Sequence, residues 1–169
     1  PGIQVTNVVY RGSALAAGLF DGGASSIGFD HGMVLSTGDV ANVVGPNTHD
    51  DVTASHGLPG DHDLEQLVPG LNTYDAASLE FDFECSVASE FSIGYVFSSD
   101  EYNEFVGSQY NDVFAFFLDG ASAADNVAIV EEGCAGPMGV PVSINGVNCG
   151  YPYPFMGVNC DCYRNNDFT

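Results

Sequence analysis

The chain has 169 residues, enough for one domain and short for two, and its 45% apolar and 12% aromatic content supplies a core. Against 23 Asp and Glu stand Arg11 and Arg164 and no lysine, for a formal charge of −21. Such a surface cannot neutralise phosphates, which excludes nucleic-acid binding, and it disfavours anionic lipid. Twenty Phe and Tyr residues and a mean hydropathy of +0.08 argue against disorder, so the carboxylates belong to a folded body. They must be solvated, screened or neutralised by cations.

Taken in chain order, Ile3, Val5 and Val9 read as a first strand, and Ser13–Leu19 as a helical segment. Met33-Val34-Leu35 is a second short strand. Asp61–Leu67 is a second helical candidate, with Asp61 in the N-cap position. Leu79-Glu80-Phe81-Asp82-Phe83-Glu84 alternates strictly, the signature of a half-buried strand with an acidic outer face. Phe91, Ile93, Tyr95 and Phe97 repeat the period and predict a hairpin-like partner for it. Val113–Leu118, apolar on both faces and closed by Asp119-Gly120, reads as a covered central strand. Asn126–Val130 and Val140–Ile144 add two more. With 21 glycines and eight prolines punctuating the chain, the pattern predicts an all-β fold, an antiparallel β-sandwich or jelly roll with short helical segments.

The longest apolar run of the central region, Val113–Leu118, falls far short of the roughly 20 residues of a membrane span, so no membrane insertion is expected. The Pro1-Gly2 start reads as a mature, processed chain. Cys85, Cys134, Cys149, Cys160 and Cys162 read as disulfide formers of an extracellular protein, the odd count leaving one thiol free or bonded to another chain. From residue 150 to residue 169 the chain becomes irregular and cysteine-rich, a tail on a single domain spanning 1–169. No Asn-X-Ser/Thr sequon occurs.

Three acidic groupings are candidate sites. Gly60-Asp61-His62-Asp63 places two carboxylates at i and i+2 on a glycine-rich loop, and Asp75 follows it. Asp100-Glu101-Tyr102-Asn103-Glu104 leaves one strand and Asn111-Asp112 opens the next. Hard oxygens on flexible loops suit Ca²⁺, which takes about 6–8 oxygen ligands. Asp61, Asp63, Asp75, Asp100, Glu101, Asn111 and Asp112 are therefore the expected metal ligands, against the alternatives of an Asx turn, a helix cap and a solvated acidic loop. His31, His49, His56 and His62 each lie beside acids, yet none has the i, i+4 spacing of a helical metal pair. There is no Gly-x-Ser-x-Gly elbow. With so many carboxylates, an acid pair for glycoside hydrolysis carries no signal. Tyr102, Tyr110, Tyr151 and Tyr153 are the candidate stacking platforms if the chain binds carbohydrate.

Several ordered strings resemble the choice-of-anchor L domain family. They are Gly28-Phe29-Asp30-His31-Gly32-Met33-Val34-Leu35-Ser36-Thr37-Gly38, Gly45-Pro46-Asn47 and Gly60-Asp61-His62-Asp63-Leu64. Tyr74–Phe83, Tyr95–Val106, Asn111–Gly120, Asn126-Val127-Ala128 and Pro141–Asn145 continue in the same order. The resemblance covers Gly2 to Asn148. It implies a secreted or surface-anchored β-rich module without enzymatic activity, similar to acidic domains of secreted adhesive proteins. Two departures stand out, the cysteine-rich tail and the absence of the family's closing portion after Thr169. Together they lead to the expectation of a fragment, or of a subunit completed by a partner strand and forming a homo-oligomer or polymer through edge strands or an intermolecular disulfide. The expected function is thus a Ca²⁺-stabilised structural or adhesion module. The alternatives are a module that binds extracellular glycans and, behind it, a glycan hydrolase.

Overall fold

The computed structural model describes residues 3–46, 49, 51–86, 91–130, 134, 136–152 and 157–164. Strands dominate, the described helices being single turns, and the fold is all-β. The chain divides into two compact units. The first comprises Pro1–Val43, Thr53–Pro59 and Tyr74–Val96, and the second Val44–Val52, Gly60–Thr73 and Phe97–Thr169.

In the first unit β1 (Ile3–Arg11) pairs antiparallel with β4 (Ser78–Cys85), from Ile3 opposite Cys85 to Arg11 opposite Ser78. Ile, Val and Thr suit an extended pleated backbone. The register slips between Thr6 and Val9, where Asn7 takes a left-handed φ of 52°. Asn tolerates that region, and its amide donates to Asp82 at 2.6 Å, fixing the bulge. On β4 the expected alternation is realised, with Glu80, Asp82 and Glu84 exposed and Leu79, Phe81 and Phe83 half-buried. The Arg11 guanidinium lies against Glu80.

A second ribbon joins β2 (Ala17–Asp21) to β3 (His31–Leu35), with Leu19 opposite Met33. Gly32 lies under the Phe20 ring, where a Cβ would come within 2.7 Å of it.

The second unit holds α1 (His62–Glu65) and a short ladder of β5 (Val113–Phe114) with β6 (Val142–Ser143). Its buried apolar residues are Val68, Ala128, Val130, Val142, Ile144 and Cys149, with Ile144 wholly inaccessible. Disulfides Cys134–Cys162 and Cys149–Cys160 tie the tail to it, their Cα atoms 5.6 and 4.4 Å apart. Cys85 is free.

Several expectations are corrected. Ser13–Leu19 is not helical: Leu15 N donates to Ser13 Oγ and Ala16 N to Ser13 O, closing a turn that feeds β2. Phe91–Phe97 forms no ladder with β4, whose described partner is β1; Phe91 instead stacks on Phe83 with centroids 4.6 Å apart. Asn126–Val130 is not a strand but meets its neighbours in single bridges at Asn126 and Ile129, Val140–Ile144 is strand only over Val142–Ser143, and Val113–Leu118 only over Val113–Phe114. Beyond it Phe117 meets Asn126 in a single bridge, and Asn126 Oδ1 takes Phe116 N and Ala128 N at 3.0 Å each. A side chain thus stands in for ladder carbonyls. The sheets are small and unclosed: three two-stranded sheets among the described residues.

Removing buried methylenes should separate core from surface. Ile144→Ala is expected to destabilise by about 2–5 kcal/mol. Leu19→Ala, at an 87% exposed position, should stay within about 0.5 kcal/mol of the parent. Urea titrations of both variants check this.

Candidate functional site

The acidic turn after Phe97 belongs to the second unit, and hydroxyl and amide side chains shape it. Ser99 Oγ donates to Asp112 Oδ2 at 2.7 Å and accepts from Glu101 N at 3.0 Å. Asn111 Oδ1 accepts from Asn145 N at 2.9 Å, and Asn145 Oδ1 accepts from Gly107 N at 2.7 Å. The turn is thereby held beside the start of β5 and the residues after β6. Burial raises the Glu101 carboxyl above its ordinary value of 4.5, and the nearby Asp112 and Asp100 raise it further. Tyr102 donates its hydroxyl to Val147 O at 2.6 Å, and burial, Tyr163 and Asp112 push its ionisation up. Asn103 is 1% exposed and gives Nδ2 to the Tyr163 hydroxyl at 2.9 Å. Its Oδ1 has no partner among the described residues.

The structure therefore gathers Asp100, Glu101, Asn111 and Asp112 from the expected set. Among the described residues no three His, Cys, Asp or Glu side chains form a metal-holding group. Asp112 and Asp100 are each close enough to Glu101 to repel its charge.

The other expected ligands do structural work. Asp61 caps α1, its Oδ1 accepting from Asp63 N at 2.8 Å and Leu64 N at 3.3 Å. Its own N–H reaches Thr73 Oγ1 at 2.8 Å. Gly60 makes this approach possible, since a Cβ there would fall 2.0 Å from Thr73 O. Asp63 Oδ1 accepts from Gln66 Nε2 at 3.3 Å.

Asp75 lies in the first unit, buried and left-handed at φ 51°. Its carboxylate accepts from Leu58 N at 2.6 Å, Ser55 Oγ at 3.0 Å and His56 N at 3.1 Å. The Leu58 bond does most to hold its carboxyl below the ordinary 3.8; burial opposes this, and Ser55 and His56 assist.

The histidines are spread over both units. His31 and His62 are exposed, 3.8 Å from Asp30 and 3.7 Å from Glu65. His56 Nε2 lies 3.5 Å from Asp39 Oδ1, both atoms buried and neither hydrogen-bonded among the described residues. No local spacing announced this pair. Asn103 was visible only as one amide within an acidic string; its side-chain partner, Tyr163, is 60 residues away. Of the tyrosines, Tyr102 is spent on Val147, Tyr110 and Tyr151 are exposed, and Tyr153 lies outside the described residues.

The shifted carboxyls of Asp75 and Glu101 predict opposite pH behaviour. Asp75, lowered in the fold, contributes stability that is present above its unfolded pKa and lost as pH falls through the folded one. Asp75→Asn keeps the left-handed preference but turns an N–H₂ toward backbone donors. It should cost about 1–3 kcal/mol at pH 7, with the deficit closing in acid. Glu101, raised in the fold, works the other way: stability falls as pH rises from its unfolded to its folded pKa. Glu101→Gln should therefore raise Tm at neutral pH in metal-free buffer and give no gain below pH 4.5, its ordinary value. Thermal melts from pH 3 to pH 8 read both effects.

No helix among the described residues is long and apolar enough to cross a membrane. No curated protein and no solved structure matches the chain significantly. The family model for the choice-of-anchor L domain matches residues 1–168, which takes in the cysteine-rich tail that the motif-by-motif resemblance left outside. With nearly every residue inside that match, the chain belongs to the choice-of-anchor L domain family, and so to secreted or surface-associated modules.

Proposed function

We propose that this chain is a non-catalytic extracellular structural or adhesion module of sandwich-like or jelly-roll-like architecture, stabilised by Ca²⁺ and assembling with copies of itself. The observation that carries the reading is the gathering of Asp100, Glu101 and Asp112 in one turn, where burial first, and then the charges of Asp112 and Asp100, raise the Glu101 carboxyl. A divalent cation relieves that repulsion, and the Oδ1 of Asn103, without a partner among the described residues, lies in the same stretch to add a hard ligand. Binding to the folded state alone then stabilises it by mass action, about 2.7 kcal/mol at a hundredfold excess over Kd. Asp61 and Asp75 are committed to backbone N–H groups, so the acidic turn is the better seat for the ion. A second reading is carbohydrate binding through Tyr110 and Tyr151, 52% and 58% exposed; a glycan array tests it.

Melts with EDTA and with millimolar Ca²⁺ test the first reading. Ca²⁺ should raise Tm by about 5 °C or more, and Asp112→Asn should abolish most of the rise. An unchanged Tm would remove calcium from the account.

A further inference from the structure

Charge is distributed unevenly along the chain. Residues 1–20 carry no carboxylate, all 23 lying from Asp21 onward, and Arg11 falls within that acid-free stretch. The same stretch contributes β1, the longest strand among the described residues. Ile3, Val5, Val8 and Val9 on β1 are 42–58% exposed. Among the described residues β1 has one ladder partner, β4, and no described strand pairs with its second edge. Ala16 is the one buried apolar residue of this unit among those described. A two-stranded ribbon with so little beneath it is marginal alone, and stable sheets need three or more strands or a packed face.

From this we infer that β1 is the docking strand for a second copy of the chain, pairing antiparallel about a two-fold axis into a sheet of order β4–β1–β1–β4. The inference rests on the assembly reading above and names its contact. Two bodies of charge −21 repel, and like charges opposed across strands are destabilising. A contact between copies is therefore favoured where both surfaces lack carboxylates. β4 fails that condition, because pairing it with its own copy would oppose Glu80, Asp82 and Glu84 to the same residues. β2 ends in Asp21, and β3 is five residues long. On β1 the contact is extended, free of carboxylates and carries Ile3, Val5, Val8 and Val9, and the bulge at Asn7 and Val8 confines the shared ladder to the residues on either side of it. The acidic face of β4 then flanks the outer edges, where charge discourages further pairing, so growth along the sheet stops at two copies.

Sedimentation velocity in EDTA at 150 mM NaCl tests this. The parent is expected to sediment at twice its 17.7 kDa at micromolar concentration and to dimerise more tightly as salt rises. Val5→Glu, whose charge is duplicated across the two-fold axis, should weaken dimerisation at least tenfold, while Met138→Glu in the other unit leaves it intact. Hydrogen exchange on the parent needs no variant: amides of Ile3–Arg11 should exchange more slowly as protein concentration rises. A dimer indifferent to Val5→Glu, with β1 exchange independent of concentration, would overturn the β1 contact and leave the assembly reading standing. A monomer in EDTA that assembles in Ca²⁺ would also overturn it while supporting that reading. A monomer under both conditions would sink both.

Discussion

An excess of carboxylates almost without cations is the constraint on which the rest of this structure depends. Elsewhere Lys and Arg would accompany buried or crowded acids; here there are two basic side chains for 23 acids. The fold answers with backbone N–H groups and hydroxyls. Asp75 gathers two amides and a serine, Asp61 caps α1, Asp125 closes a capping box with Ser122, and Glu65 takes the amide of Thr73. Each such bond anchors a loop, so the acids become the joints of an irregular architecture. Such charge-assisted bonds are stronger than neutral ones and need no counter-ion.

That arrangement reaches its limit in the turn from Ser99 to Asp112. Ser99 satisfies Asp112, but Glu101 is left between two like charges and partly removed from water. The calcium proposal starts from this residual repulsion. The β1 proposal starts from its converse, a stretch from which charge is excluded. Both follow from one distribution of charge along the chain, with the acid-free segment free to pair and the acidic loops in need of a cation or of salt.

Much of this was legible in the sequence because it is local. Period-two alternation located β4 and its acidic face, the Met33 string located β3, and the Asp61 position announced a cap that the structure realises. The family could be recognised from ordered motifs. Less legible was whatever depends on distant partners. The alternation of Phe91–Phe97 looks like a strand next to β4, yet the ladder went to β1, about 80 residues away at Ile3 and Cys85; periodicity reports a half-buried face and not the partner. Five cysteines did not disclose that Cys85 is the unpaired one. Asn126 replaced ladder carbonyls with a side-chain oxygen, which cut short the strand predicted over Val113–Leu118. The metal candidates mixed three structural roles because an Asp that caps a helix and an Asp that faces another Asp look alike in sequence.

The claim that unbalanced negative charge governs this fold is tested most directly by thermal stability against monovalent salt in EDTA. If self-repulsion is the dominant unsatisfied term, Tm rises steadily between 10 mM and 0.5 M NaCl, most steeply at the dilute end where screening changes fastest. A Tm that is flat or falls over that range would contradict the account, since the acids would then be individually satisfied and charge would set neither the cation requirement nor the pairing strand.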